Sequence, residues 1–100
     1  MTSITPTTSV TATLSNAEKT AILVDRYAEG KATRKEINAH LASLNTFDRD
    51  SCLSKLIYRA GSLGNNKDVV ALYKQMNLAD LDRTLELHNV YDRAVAALLN

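Results

Sequence analysis

The sequence is poor in the residue types that mark several protein classes. Its 100 residues include one cysteine, one proline, three glycines and no tryptophan. A lone cysteine cannot form an internal disulfide, and no Cys/His cluster offers the ligands of a structural zinc. No apolar run approaches the ~20 residues of a bilayer-spanning helix, and no cleavable apolar signal segment follows the start. We therefore expect a single domain, stabilised by apolar burial and not embedded in a membrane.

The charge balance excludes another class. Twelve Lys and Arg against eleven Asp and Glu leave a formal net charge of +1. Because nucleic acids and anionic membranes attract proteins largely through excess positive charge, no overall field would hold this chain on either. Only a local basic patch could do so.

The first 14 residues differ in composition from the rest. They contain six threonines, two serines, the only proline and no charged residue. We expect a flexible Ser/Thr-rich arm over residues 1–14, although Val10, Ala12 and Leu14 alternate as in a strand that could pair with another molecule. This start is similar to the leader of proteins exported by bacterial type III secretion systems. The resemblance implies export without a cleaved signal peptide, as an alternative to a cytoplasmic location.

Residues 15–100 have helical periodicity and predict one all-α domain of about five helices, packed as an irregular or orthogonal bundle. Capping boxes at Ser15 and Thr33 predict helices over about 16–29 and 34–44. A third helix should begin after the polar Asn45 region and end at Gly61, and a short fourth follows the Gly61–Asn66 loop. The fifth, capped by Asn77 and Asp80, should continue to the C-terminus.

The last predicted helix has an unusually wide apolar side. Its apolar residues cover about 200° of the circumference, against about 100° for a helix lying on a core. The helix is therefore either the central element of the bundle, which we favour, or a surface that binds another chain. In the second case the partner-binding residues would be Leu87, Tyr91, Ala94 and Leu98.

The segment from Cys52 to Met76 resembles one unit of the tetratricopeptide and pentatricopeptide helical-repeat proteins. Leu56, Ile57 and Ala60 lie in its first helix, and Leu72 and Tyr73 in its second. No second copy is present, and a lone helix pair cannot form a solenoid core.

Two polar pairs are candidates for chemistry. His88 and Asp92 are four residues apart on the last helix, near the middle of its apolar arc, so their side chains should touch. Because no nucleophile pattern accompanies them, we interpret them as a structural pair, which predicts that His88→Leu leaves the fold intact. Cys52 and His40 form the other thiol–imidazole combination, and without an elbow or a third orienting residue we expect a half-buried, inert thiol. No catalytic residue is assigned.

Metal, cofactor and nucleic-acid sites are weakly encoded. Asn65, Asn66 and Asp68 lack the spacing of a calcium loop, and no glycine pattern for phosphate or dinucleotide binding occurs. We therefore expect no metal, no cofactor and no small-molecule substrate.

The second and third helices resemble a helix-turn-helix, with a basic patch of Arg34, Lys35, Arg49, Lys55 and Arg59. Nearby acidic residues dilute this patch, so a solvated face is the better interpretation.

These observations favour a small non-enzymatic helical module that binds a partner protein or a second copy of itself through the apolar face of its last helix. A nucleic-acid-binding regulator that uses the second and third helices is the alternative.

Overall fold

The computed structural model describes residues 14–77 and 81–100, with side chains in the second range from Leu85 onward. The predicted arm over residues 1–14 lies outside the described residues except for Leu14, and so does Asp80 of the predicted last cap. The described residues form five helices and no strand. The helices are α1 Asn16–Ala28, α2 Arg34–Ala42, α3 Thr46–Ser62, α4 Asn66–Tyr73 and α5 Leu81–Leu99. The predicted all-α class is confirmed.

The starts of α1, α2 and α3 are set by side-chain caps. The Ser15 and Thr33 hydroxyls accept hydrogen bonds from the backbone N–H groups of Glu18 and Glu36, whose carboxylates bond back to the cap backbone. Asn45 caps α3 through its side-chain oxygen. These contacts satisfy backbone donors that have no partner within the helix. Both predicted capping boxes are thus confirmed.

Gly61 was predicted to end the third helix, and this prediction is wrong. Helix α3 continues to Ser62, and the left-handed residue after it is Gly64, with φ of 76°. Gly61 instead permits a close approach of two helices. A Cβ at this position would lie 2.8 Å from Cγ1 of Val90 on α5. The absence of a side chain at Gly61 therefore allows α5 to pack closely on α3.

Helix α3 is the centre of the bundle and contacts each of the other four helices. Its Leu53, Leu56, Ile57 and Ala60 are fully buried. The preferred prediction, that the last helix would be central, is wrong, because α5 packs chiefly against α3 and α4. The core is completed by apolar side chains from the other four helices: Leu23, Ile37, Leu41, Val69, Leu72, Tyr73, Leu87 and Ala94.

A polar network joins α1 to α4 at the edge of this core. The Tyr27 hydroxyl donates a 2.6 Å hydrogen bond to the Asp68 carboxylate and accepts one from the Asn65 amide. Burial, and secondly the bond to Asp68, raise the pKa of Tyr27 to about 12.

Within the described ranges, none of the helices combines the length and hydropathy that a membrane span requires.

Candidate interaction surface

Helix α5 has a packed side, which anchors it to the bundle. Leu87 and Ala94 are 1% and 3% exposed and belong to the core. Val90 and Tyr91 are partly buried against the same core, and the Tyr91 ring stacks on Tyr73 of α4 at a centroid distance of 4.4 Å. Two of the four predicted partner-binding residues, Leu87 and Ala94, therefore cannot reach a partner while the fold is intact.

A second side of α5 is exposed and carries apolar residues at its two ends. Leu85 and Leu99 are 67% and 81% exposed. Together with His88, Asp92 and Val95 they form a stripe, which we call the outer face. The spacing along it is 3, 4, 3, 4, which keeps the five residues on one side of the helix and is the a/d spacing of a coiled-coil seam. The outer face therefore has the register of a surface that packs against another helix.

Tyr91 and Leu98, the other two predicted partner-binding residues, border the outer face. Tyr91 is partly buried by its stack on Tyr73, and Leu98 is 45% exposed. Leu98 also lies beside the α3–α4 turn, where it contributes to a shallow depression with Gly64 and Asn65. The predicted last helix is present, and its exposed large apolar residues from position 85 onward are Leu85, Leu98 and Leu99.

His88 and Asp92 lie in the middle of the outer face. Their side chains are 52% and 58% exposed, and His88 Nε2 lies 3.4 Å from Asp92 Oδ2. His88 Nδ1 is 3.0 Å from the hydroxyl of Tyr73. Both ring nitrogens therefore have a partner, which fixes the ring orientation. Burial, followed by the negative charge of Asp92, raises the pKa of Tyr73. The pair is in contact, as predicted, but faces solvent.

Cys52 and His40 are brought near one another around the hydroxyl of Thr20. Thr20 Oγ1 lies 2.9 Å from His40 Nε2, and Thr20 is itself buried. Burial raises the pKa of the Cys52 thiol, an effect partly offset by a hydrogen bond with Thr20. Burial also lowers the pKa of His40, with Lys19 adding to the effect. A protonated, 1% exposed thiol is a packing residue, because the reactive form is an accessible thiolate.

The five basic residues of the predicted nucleic-acid patch are divided between different surroundings. Arg34 lies 3.5 Å from Asp68 on α4. Lys55 and Arg59 flank a groove between α1 and α3, which Asp25 also lines. Lys35 and Arg49 are exposed on α2 and α3. The structure therefore brings Lys55 and Arg59 together and directs Arg34 to a carboxylate.

A cleft between α1, α2 and α4 is a further concave feature, which the sequence did not reveal. Ala32, Ile37 and Leu72 form apolar walls, with Asn38 and Gln75 also lining it. Its two charged residues, Arg34 and Asp68, pair with each other, and Asp68 also accepts the Tyr27 hydrogen bond.

In the part of the chain that is described, no group of three metal-ligating side chains occurs.

Comparisons with family models, curated proteins and solved structures give no match.

Proposed function

We propose that this protein is a small non-enzymatic helical interaction module, which binds a partner protein or a second copy of itself through the outer face of α5. The observation that supports this most directly is the division of α5 into two sides. Leu87 on one side is 1% exposed, whereas Leu85 and Leu99 on the other are 67% and 81% exposed. A helix already anchored by its inner side can present its outer side without rearrangement.

The energetics favour covering this face. Full burial of a leucine or valine side chain is worth about 1.5–3 kcal/mol. Leu85 and Leu99 are mostly exposed and Val95 is partly exposed, so a partner helix could recover much of this free energy. Glu86 and Arg93 lie outside the outer face, so His88 and Asp92 are the only ionisable residues among its five.

The proposal is tested by site-specific photo-crosslinking in the cells that make the protein. A photoreactive residue is placed at Leu85 or Leu99, with matched controls at Glu29 and Lys31, which are exposed near the end of α1. We expect adducts of defined mass from positions 85 and 99 and none from the control positions. Changing Leu99 to Glu should abolish the adduct at position 85, and changing Leu85 to Glu should abolish the adduct at position 99. Equal adducts at all four positions, or none at 85 and 99, would overturn the proposal.

Nucleic-acid binding through Arg34, Lys35, Arg49, Lys55 and Arg59 is the second candidate, favoured only by the proximity of Lys55 and Arg59 along one groove. Binding by phosphate contacts must weaken as salt increases. Gel shifts at low and moderate salt test it, with Lys55→Glu as the variant and Lys74→Glu, at the end of α4, as its matched control. Absence of a shift at low salt would remove this candidate.

A further inference from the structure

We infer that the occupant of the outer face is a second copy of this chain, with the two α5 helices antiparallel and His88 of each facing Asp92 of the other. This inference rests on the proposed function. It depends on the outer face being complementary to itself when one helix is reversed. His88 and Asp92, and Leu85 and Val95 outside them, are placed symmetrically about position 90.

The antiparallel arrangement follows from the seam register. When two such helices cross at position 90 of each, Leu85 of one lies opposite Val95 of the second copy. His88 then lies opposite Asp92 of the second copy, and a twofold axis repeats both contacts. Leu85 therefore meets Val95, each imidazole meets a carboxylate, and Leu99 lies opposite position 81 of the second copy.

A parallel arrangement lacks this complementarity. It would place Asp92 against Asp92 and His88 against His88 in the middle of the seam. Like charges brought together at an interface are unfavourable, and charged or polar residues in a seam set its register and orientation. The outer face thus selects the antiparallel pairing.

The fold also prepares the polar layer for this contact. The Tyr73 hydroxyl holds the His88 ring at Nδ1, which leaves Nε2 directed to a carboxylate. In the monomer that carboxylate is the chain's own Asp92 at 3.4 Å, longer than the ~2.7–2.9 Å of a strong charge-assisted hydrogen bond. His88 Nε2 carries a single hydrogen, so in the dimer it is donated to Asp92 of the second copy in place of this longer intrachain contact.

The expected dimer is weak. Helix α5 has 19 residues, which corresponds to a length of roughly 28 Å. A single helix pair of this size lies at the low end of specific interfaces, which bury about 1,200–2,000 Å². We therefore expect dissociation in the micromolar range, where monomer and dimer can both be measured.

The test uses sedimentation equilibrium on the full chain and two charge variants, His88→Glu and Asp92→Lys. In a homodimer of the His88→Glu variant, a glutamate at position 88 would face Asp92 of the second copy. In a homodimer of the Asp92→Lys variant, His88 would face a lysine. We expect each variant to dimerise at least about tenfold more weakly than the unmodified chain. In a heterodimer of the two variants, the new glutamate faces the new lysine and His88 faces Asp92. An equimolar mixture should therefore form a heterodimer at least as stable as the original dimer.

Two further variants define the surface. Leu85→Glu should abolish the dimer, whereas Arg93→Glu, exposed on α5 but outside the outer face, should leave it unchanged. Helix content from circular dichroism establishes that each variant is folded. Three results would overturn the inference: a monomer at all concentrations up to about the millimolar range, a dimer insensitive to Leu85→Glu, or a mixture of the two charge variants that fails to associate.

The crosslinking experiment separates this inference from the proposed function. If positions 85 and 99 give an adduct with a different protein while the purified chain stays monomeric, the proposed function holds and the second copy is overturned. If neither position gives an adduct and the chain is monomeric, both are overturned.

Discussion

Helices α3 and α5 are the two longest in the described residues, and both have apolar residues over much of their circumference. The leucines of α3, Leu53 and Leu56, are completely buried because the other helices surround it. On α5 Leu87 is equally buried, but Leu85 is two-thirds exposed. The width of an apolar arc thus shows how much neighbouring surface a helix needs, whereas only the packing shows whether this chain supplies all of it.

The strongest test of this difference places a charge on each side of α5. Leu87→Glu buries a carboxylate without a partner, which should cost at least about 4 kcal/mol, a large part of a small domain's stability. Leu85→Glu should change the free energy of unfolding by less than about 0.5 kcal/mol, as at other surface positions. Urea titrations of both variants at low protein concentration measure the contrast. Equal losses would show that Leu85 also belongs to the core.

The contact between α3 and α5 can be broken more selectively at Gly61. Ala at this position brings a Cβ to 2.8 Å from Val90 Cγ1, and overpacking of this kind costs about 1–3 kcal/mol. That cost outweighs the gain of up to about 1 kcal/mol expected for Gly→Ala within a helix.

The matched control for Gly61→Ala is the double variant Gly61→Ala/Val90→Ala, in which the Val90 methyl groups that meet the new Cβ are removed. The double variant should be more stable than the sum of the two single changes predicts. Thermal unfolding of all four proteins gives the coupling, and strict additivity would contradict the proposed close approach.

Two tyrosines compare a polar contact within the bundle with one at the exposed surface between α3 and α5. Tyr27 joins α1 to α4 by its 2.6 Å bond to Asp68, and Tyr58 joins α3 to Glu86 on the exposed side of α5. Tyr27→Phe should cost about 1.5 kcal/mol, because a hydrogen bond to a charged group is lost. Tyr58→Phe should cost about 0.5 kcal/mol, because solvent replaces a contact between exposed groups.

The same substitution has a consequence at alkaline pH. Burial and Asp68 raise the pKa of Tyr27 from 10.0 to about 12, so between these values the folded protein binds more protons than the unfolded chain. The stability that Tyr27 contributes is complete below pH 10 and is lost as the pH rises towards 12. Urea midpoints over this range should fall more steeply for the unmodified protein than for Tyr27→Phe. Parallel curves would contradict the raised pKa.

The parts of this structure that were predictable from sequence are those set by local interactions. The Ser15 and Thr33 caps act within four residues, so their pattern is complete in the sequence. The error at Gly61 has a non-local cause, because its neighbour Val90 is 29 positions away and belongs to another helix. Glycine has the same local preference in both roles, and only the tertiary contact distinguishes them.

The candidate surface was predicted only in part, for a related reason. The arc of α5 was visible in the sequence, but which half of it the bundle covers depends on where α3 and α4 lie. The spacing could not decide this, because Leu87, Tyr91, Ala94 and Leu98 follow the same seam register with steps of 4, 3 and 4 residues.

The smallest effect is expected at His88, where the packed and exposed regions meet. His88→Leu removes the contact with Asp92 and the bond to the Tyr73 hydroxyl, but the site is half exposed, so water can replace the lost partner. We expect a change of about 0.5 kcal/mol in the free energy of unfolding, with unchanged helix content. Tyr73→Phe is the matched control, because it removes the same bond from the buried side, and it should have a similar effect. A loss of cooperative unfolding in His88→Leu alone would place His88 within the core and remove it from the outer face.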